Sequence, residues 1–180
     1  MKITLENPRG IGDWLRIFCL YSTAFPPSER KPFGIIRKMH RQGRADVWKI
    51  QKDGKFAGFA STVNGSDLIL LDYLAVCKSC RGTGVGSAAM ALLMDQYAEK
   101  GFFVEIESTK ADCPDLPVRQ KRRYFYEAAG MGDLGVSARV FGVNMDLLGI
   151  RCVLSFESYR SFYHDHYSSW AAQHLEPMES

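Results

Sequence analysis

The sequence has no apolar run long enough to cross a bilayer, and its start lacks the basic residues and apolar stretch of a signal peptide. It also lacks an excess of one charge, because 23 Lys and Arg side chains stand against 20 Asp and Glu, a net charge of +3. A charge this small does not indicate a polyanionic partner or a membrane surface. We therefore expect a cytoplasmic protein.

Cysteine is scarce, with five residues at positions that do not have the spacing of a disulfide framework. We expect the cysteines to be thiols, and most of them to be small core residues. Cys77 and Cys80 have the spacing of half a zinc site, but no second pair completes it. We predict no bound metal.

No linker rich in Pro, Gly and Ser and no repeat divides the chain, so its 180 residues are predicted to form one domain, 1–180. Asp53-Gly54 is typical of a hairpin turn, and residues 68–76 are so apolar that burial on both faces is indicated. Helices should then cover both sides of the sheet. The predicted order is a strand (2–5), a helix after Gly10, a helix capped by Ser28, three antiparallel strands (47–50, 56–63, 68–76), a helix and a strand (102–107).

The strongest chemical signal is the glycine-rich segment 81–87, which opens a helix directly after a buried strand. Glycines lack Cβ atoms, so backbone N–H groups can converge on an anion at the positive end of the helix dipole. A pyrophosphate is a suitable ligand. The segment has neither the Gly-Lys-Ser/Thr of a Walker A loop nor the spacing of a dinucleotide fingerprint. The alternative is a glycine-rich connection that binds nothing.

Arg81, Gly84 and Gly86 match the Arg/Gln-x-x-Gly-x-Gly/Ala motif of the GNAT superfamily of acyl-CoA-dependent N-acetyltransferases. Residues 125–131 resemble the same family's aromatic-Tyr-Glu-x-x-Gly-Phe helix. The sequence therefore resembles that superfamily, over residues 1–155 in architecture and 68–131 in motifs. The resemblance implies an α/β fold, with a central, mostly antiparallel mixed sheet flanked by helices.

The resemblance also implies acetyl-CoA as co-substrate. Its pyrophosphate would bind the glycine-rich segment, while the preceding strand would pair with the pantetheine arm and offer a backbone N–H to the oxyanion. The implied coenzyme residues are Leu74, Ala75, Val76, Arg81, Gly82, Thr83, Gly84, Val85, Gly86 and Ser87.

Catalysis would require a general acid and a general base. Tyr126 occupies the position of the family's tyrosine acid, and Glu105 lies in an apolar-Glu-apolar strand segment that carries the base in some members. Tyr126 could instead pack its helix onto the sheet. Glu107 shares the strand face of Glu105, and paired carboxylates can hold one proton between them. Asp72 interrupts an apolar strand. Each of these carboxylates could equally bind the acceptor or form a structural hydrogen bond.

Two features depart from the family pattern. Arg119 and Arg122 stand where members often have Asn and Ala, and the connection 108–117, which includes Asp112, is longer than usual. That connection either shapes the acceptor site or is a tolerated surface loop. Basic runs at 37–41 and 119–123 are typical of solvated helix faces, although the second could attract coenzyme phosphates.

The leading hypothesis is an N-acetyltransferase for a primary amine of a small molecule or peptide, with Glu29 as a further acceptor contact. The alternatives are an acyl-CoA sensor without turnover and a binding module that uses the basic runs for nucleic acid or regulation. We expect no nucleic-acid partner, because no recognised binding motif is present. His164 and His166 fall in an aromatic helix predicted over 157–175, which would pack on the domain or on a second copy of the chain.

Overall fold

The computed structural model describes residues 1–110 and 113–178. It has eight strands, mostly antiparallel, flanked by helices, as the sequence predicted. The chain forms two compact units, one from Met1–Asn64 and Leu71–Gln96 and the other from Gly65–Leu70 and Tyr97–Ser180. A single domain over 1–180 stays a prediction.

The first unit holds strands in the order β1-β2-β3-β4 and three helices. Its elements are β1 (Ile3–Glu6), α1 (Gly10–Ala24), a 3-10 turn (Pro27–Glu29), α2 (Phe33–Arg41), β2 (Ala45–Lys52), β3 (Lys55–Asn64), β4 (Leu68–Val76, of which Leu71 onward belongs here), a second 3-10 turn (Lys78–Cys80) and α3 (Val85–Gln96).

The hairpin between β2 and β3 turns at Asp53-Gly54, as predicted. Both residues have positive φ, 50° and 77°, which is the requirement of a two-residue turn whose twist matches that of the flanking strands. Lys52 pairs with Lys55 across the turn, and the Asp53 carboxylate accepts a hydrogen bond from the Lys2 N–H at 2.8 Å. The turn chemistry therefore sets the register of the hairpin.

The core of this unit lies between the sheet and the apolar faces of α1 and α2. Its buried members are Ile17, Tyr21, Ile36, Val47, Phe59, Tyr73 and Ala75. The expected burial of β4 on both faces holds only as far as Leu71, because Asp72, Leu74 and Val76 are half-buried while the alternate residues are buried. One face of the end of β4 is thus partly open.

Two other predictions for this part of the chain are wrong. The second helix begins at Phe33, with Pro32 at its N-cap position, rather than after Ser28, because the prolines at 26, 27 and 32 divide this segment into a short 3-10 turn and a helix. The cysteines do not lie in the core: Cys19 is exposed and the other four are half-buried, all as thiols.

The second unit has strands in the order β5-β7-β6-β8, and each neighbouring pair is antiparallel. Its elements are β5 (Gly101–Glu107), α4 (Leu116–Ala128), β6 (Gly132–Val140), β7 (Val143–Ile150), α5 (Phe156–His166), α6 (Ser169–Gln173) and β8 (Leu175–Pro177). Asp112, in the long connection before α4, lies outside the described residues.

The C-terminal segment predicted as one helix over 157–175 contains two helices. Ser168 accepts a hydrogen bond from the Ala171 N–H at 3.1 Å and so caps a new helix, α6, directly after α5. The aromatic residues Tyr159, Phe162 and Tyr163 of α5 are buried within this unit. In the part of the chain that the structure describes, no helix has the length and apolar character to cross a bilayer.

Candidate functional site

The glycine-rich segment forms an exposed loop at the N-terminus of α3. Gly82 and Gly84 have positive φ, 71° and 80°, a conformation that suits glycine. The Ala88 N–H donates the first helical hydrogen bond, to the Gly84 carbonyl at 3.0 Å. The N–H groups of the three residues before Ala88 therefore precede the helical ladder, and the helix dipole adds positive potential there. This arrangement can bind an anion.

Side chains tie this loop to neighbouring backbone. Arg81 Nε donates to the Val76 carbonyl at 3.2 Å, and Thr83 Oγ1 donates to the Cys80 carbonyl at 2.7 Å. Lys52 Nζ lies 3.5 Å from Thr83 Oγ1 and brings an exposed ammonium to the loop. Sequence reasoning missed Lys52, because it belongs to the hairpin and only sheet pairing places it beside a loop 31 residues away.

The end of β4 contains three residues predicted to pair with pantetheine. Ala75 is buried, while Leu74 and Val76 are half-buried on the partly open face. A Cβ at Gly58 would lie 2.3 Å from the Ala75 carbonyl oxygen, a distance at which no side chain fits. Gly58 thus allows the β3 backbone to approach β4 here, a role that could not be predicted from the sequence.

Asp72, one of the predicted acceptor contacts, has a cationic partner. Lys31 Nζ lies 2.6 Å from Asp72 Oδ1, and the Asp72 side chain is only 8% exposed. The adjacent Tyr73 hydroxyl donates to the Glu29 carbonyl at 3.0 Å and accepts from the Lys31 N–H at 3.1 Å. Burial, with Asp72 adding to it, raises the pKa of Tyr73, which keeps the phenol a donor. The structure thus brings Glu29 and Asp72 to one part of the first unit.

Tyr126, the predicted general acid, lies on the buried face of α4 in the second unit. Burial raises the pKa of Tyr126 to about 12, while the nearby Arg122 acts in the opposite direction. The ring packs at 5.1 Å from that of Phe125. Its hydroxyl has no hydrogen-bond partner within residues 1–110 and 113–178, and it is not an unsatisfied buried atom. The phenol is therefore protonated at neutral pH.

Glu105, the predicted base, accepts two hydrogen bonds on one carboxylate oxygen. Its Oε1 lies 2.5 Å from the Tyr159 hydroxyl and 2.8 Å from the Tyr163 hydroxyl. Burial and the Glu105 charge raise the pKa of Tyr159 well above its ordinary value, so that phenol remains a donor. The carboxylate is held in place by α5.

Glu107 has different partners. Its Oε1 lies 3.2 Å from Arg119 Nη2 and its Oε2 lies 2.8 Å from Arg122 Nη1. The expected sharing of a proton between Glu105 and Glu107 has no support in these contacts, because each carboxylate has its own donors. The two arginines that depart from the family pattern are those that hold Glu107.

The second basic run is neutralised in the same way. Arg123 pairs with Asp133 at 2.5 Å, with Glu127 at 2.8 Å and with the buried Asp146 at 3.4 Å. Arg119 pairs also with Asp115, at 3.0 Å. These ion pairs leave little surplus positive charge for a polyanion on this helix.

Replacing Glu107 with Ala should lower the free energy of unfolding by about 2 kcal/mol, between the values for exposed and buried ion pairs. The loss arises because Arg122 would lose the carboxylate that it pairs with and Arg119 would be left with Asp115, while the two guanidinium groups remain close together. Glu176→Ala is the control, since its pair with Arg139 is 3.8 Å long and exposed, and should change stability by less than about 0.5 kcal/mol. Urea unfolding measures both, and equal losses would contradict the prediction.

Comparison with known proteins identifies the family to which this chain belongs. The model of the acetyltransferase (GNAT) family matches residues 14–130, well over half of the chain. The protein belongs to the GNAT family of acetyltransferases, and the resemblance found in the sequence is confirmed. No match is found among curated proteins.

Solved structures share the fold at low sequence identity. A protein described as an acetyltransferase from the GNAT family, from Bacteroides thetaiotaomicron, aligns with a TM-score of 0.75 and 15% identity over 96% of this chain and 99% of its own. The ribosomal-protein-S18-alanine N-acetyltransferase of Escherichia coli aligns at 0.63 and 16% identity, over 86% and 96%. Spermidine N-acetyltransferase from Vibrio cholerae, in complex with CoA and spermine, aligns at 0.63 and 12%, over 82% and 94%.

A metal site has no candidate in the described ranges, since no group of three or more His, Cys, Asp or Glu side chains there could hold an ion. The chemistry available consists of an anion-binding helix terminus, a protonated phenol and positioned carboxylates.

Proposed function

We propose that this chain, acting as one domain over 1–180, transfers the acetyl group of acetyl-CoA to a primary amine of a small molecule or peptide. The amine would attack the thioester directly within a ternary complex. The observation that carries the proposal is the anion-binding loop of residues 81–87, in a chain that belongs to the acetyltransferase family.

The coenzyme pyrophosphate would accept hydrogen bonds from the free N–H groups at the start of α3. Lys52 and Arg81 would add positive charge to the same loop. The pantetheine arm would pair with the backbone of residues 74–76, at the end of β4. A backbone N–H of these residues would stabilise the oxyanion as the amine adds to the carbonyl.

Tyr126 would complete the transfer. When the tetrahedral intermediate collapses, the C–S bond breaks and the coenzyme leaves as a thiolate, which takes the phenolic proton. The support is that Tyr126 remains protonated and carries no hydrogen-bond partner that competes for that proton in the described chain. The alternative role of Tyr126, packing its helix onto the sheet, would use the ring and leave the hydroxyl able to donate its proton.

Glu105 would accept the proton of the amine, directly or through water. Glu105→Gln keeps the oxygen that Tyr159 and Tyr163 contact but removes the base, so we expect kcat to fall about 100-fold, at the low end for acid-base catalysis because water can substitute. The unfolding temperature should change little. If kcat is unchanged while Glu105→Leu unfolds at a lower temperature, Glu105 only anchors α5.

The acceptor would contact Glu29, Asp72 and Glu107. Asp72 and Glu107 already have cationic partners, so a polycationic acceptor would have to compete with Lys31 or with the arginines of α4. We therefore propose a monoamine or a peptide amine rather than a polyamine. A steady-state comparison of a monoamine with spermine tests this preference.

Thermal unfolding with and without acetyl-CoA tests the coenzyme half of the proposal. At 100 times its dissociation constant the ligand should stabilise the fold by about 2.7 kcal/mol, a rise of roughly 5–10 °C for a chain of this length. Release of the CoA thiol with a panel of amines then tests catalysis. Binding without turnover of any amine would favour the sensor, and no stabilisation at millimolar acetyl-CoA would refute both.

A further inference from the structure

Cys77 and Cys80 lie at the two ends of a short turn between β4 and the coenzyme loop. The Cys80 N–H donates to the Cys77 carbonyl at 2.8 Å, which closes the 3-10 turn Lys78–Cys80. A turn closed in this way keeps its first and fourth Cα atoms within about 7 Å, and disulfides join Cα atoms about 4.4–6.8 Å apart. The backbone therefore holds the two cysteines at a separation that suits a disulfide.

The side chains also favour an encounter. Cys77 occupies the N-cap position of the turn and Cys80 its third residue, so both side chains start from the same single turn of backbone. Both residues are half-buried, so a small oxidant can reach them. Cys113 and Cys152 belong to the other unit and Cys19 is exposed on α1.

We propose that Cys77 and Cys80 are a dithiol oxidation site, and that closing their disulfide weakens coenzyme binding by residues 81–87. The first statement is independent of the function proposed above, and the second rests on it. The oxidant class is a peroxide. One thiolate attacks a peroxide oxygen to give a sulfenic acid and water, and the other then attacks that sulfur and releases a second water. In sum, two S–H bonds and the O–O bond break, one S–S and two O–H bonds form, and the sulfurs lose two electrons to the peroxide.

The coupling to the coenzyme loop follows from the hydrogen bonds of the turn. The Cys80 carbonyl accepts from Thr83 Oγ1, the Arg81 N–H donates to the Lys78 carbonyl at 3.3 Å, and Arg81 Nε donates to the Val76 carbonyl. A bond between the sulfurs would fix the turn, and any change in the turn would be passed to residues 81–87 through these hydrogen bonds. Losing one hydrogen bond to the charged pyrophosphate would weaken acetyl-CoA binding by about tenfold or more.

The experiment uses the full chain with Cys19, Cys113 and Cys152 changed to Ser, so that only the pair can react. Hydrogen peroxide is added, and intact mass and peptide mapping follow the protein. We expect the loss of two hydrogen atoms, a link between Cys77 and Cys80, and reversal by dithiothreitol. Cys80→Ser in the same background is the control and should form no such link.

Calorimetry then compares acetyl-CoA binding by the oxidised and reduced forms. A dissociation constant about tenfold higher in the oxidised form supports the proposal. Sulfinic acid or links between chains in place of the Cys77–Cys80 link would overturn it, as would a link that leaves affinity unchanged. If the reduced protein does not bind acetyl-CoA, the proposed function fails, and peptide mapping still decides whether the dithiol closes.

Discussion

Gly84→Asp is expected to weaken acetyl-CoA binding by about 1,000-fold or more. The new carboxylate would stand at the mouth of the anion-binding loop, and a like charge about 4 Å from a phosphate in a partly screened site is worth roughly 4 kcal/mol of repulsion. An aspartate also strains the backbone at a φ of 80°, and it would turn the neighbouring N–H groups from the ligand. Isothermal titration of acetyl-CoA measures the change.

Gly43→Asp is the matched control. Gly43 has a φ of 69° and open space around the Cβ position, as Gly82 has in the loop, but it follows α2 and lies outside residues 81–87. The substitution Gly43→Asp introduces the same charge and the same kind of backbone strain as Gly84→Asp. We therefore expect Gly43→Asp to lose a similar amount of stability and to keep its affinity for acetyl-CoA. An equal loss of affinity in both variants would show that the loop is not part of the coenzyme site.

Tyr126→Phe should lower kcat about 1,000-fold, within the range for a general acid, while leaving the affinity for acetyl-CoA nearly unchanged. The ring still fills its buried position, so the fold should persist. Only the proton donor is lost. Tyr124→Phe, on the exposed side of the same helix, is the control and should retain full activity.

The pH dependence gives a second readout for Tyr126. Burial disfavours the phenolate and raises the pKa to about 12, so the protonated donor persists below that pH and is lost only above it. We expect no fall in kcat from Tyr126 between pH 7 and roughly pH 10. If wild-type kcat falls between those values and Tyr126→Phe abolishes the fall, the phenol ionises at its ordinary pKa and the structural account of its burial is wrong.

The family, the order of elements and the glycine-rich loop that opens α3 could be predicted from the sequence. Each depends on local features: alternation or helical spacing of apolar residues, the positive φ that Asp53-Gly54 adopts, and the glycines that open α3. The two-helix C-terminus was missed for a local reason as well, because the aromatic spacing continues past the point where Ser168 caps a new helix.

The partners of the carboxylates could not be predicted. Glu105 meets Tyr159 and Tyr163, which are 54 and 58 residues away along the chain, and Asp72 meets Lys31 from 41 residues away. Periodicity assigned Glu105 and Glu107 to one strand face and suggested a shared proton. Only the packing of α4 places two arginines on Glu107, and only the packing of α5 places two phenols on Glu105.

The sequence by itself thus determined the class of fold and the glycine-rich loop at the start of α3, because a helix terminus and its glycines are set by residues a few positions apart. Tertiary structure alone decided which charges are already neutralised: Arg119 and Arg122 by Glu107, and Asp72 by Lys31. The physical reason is that ion pairs and buried hydrogen bonds act over a few ångströms in space, and separation along the chain does not fix those distances.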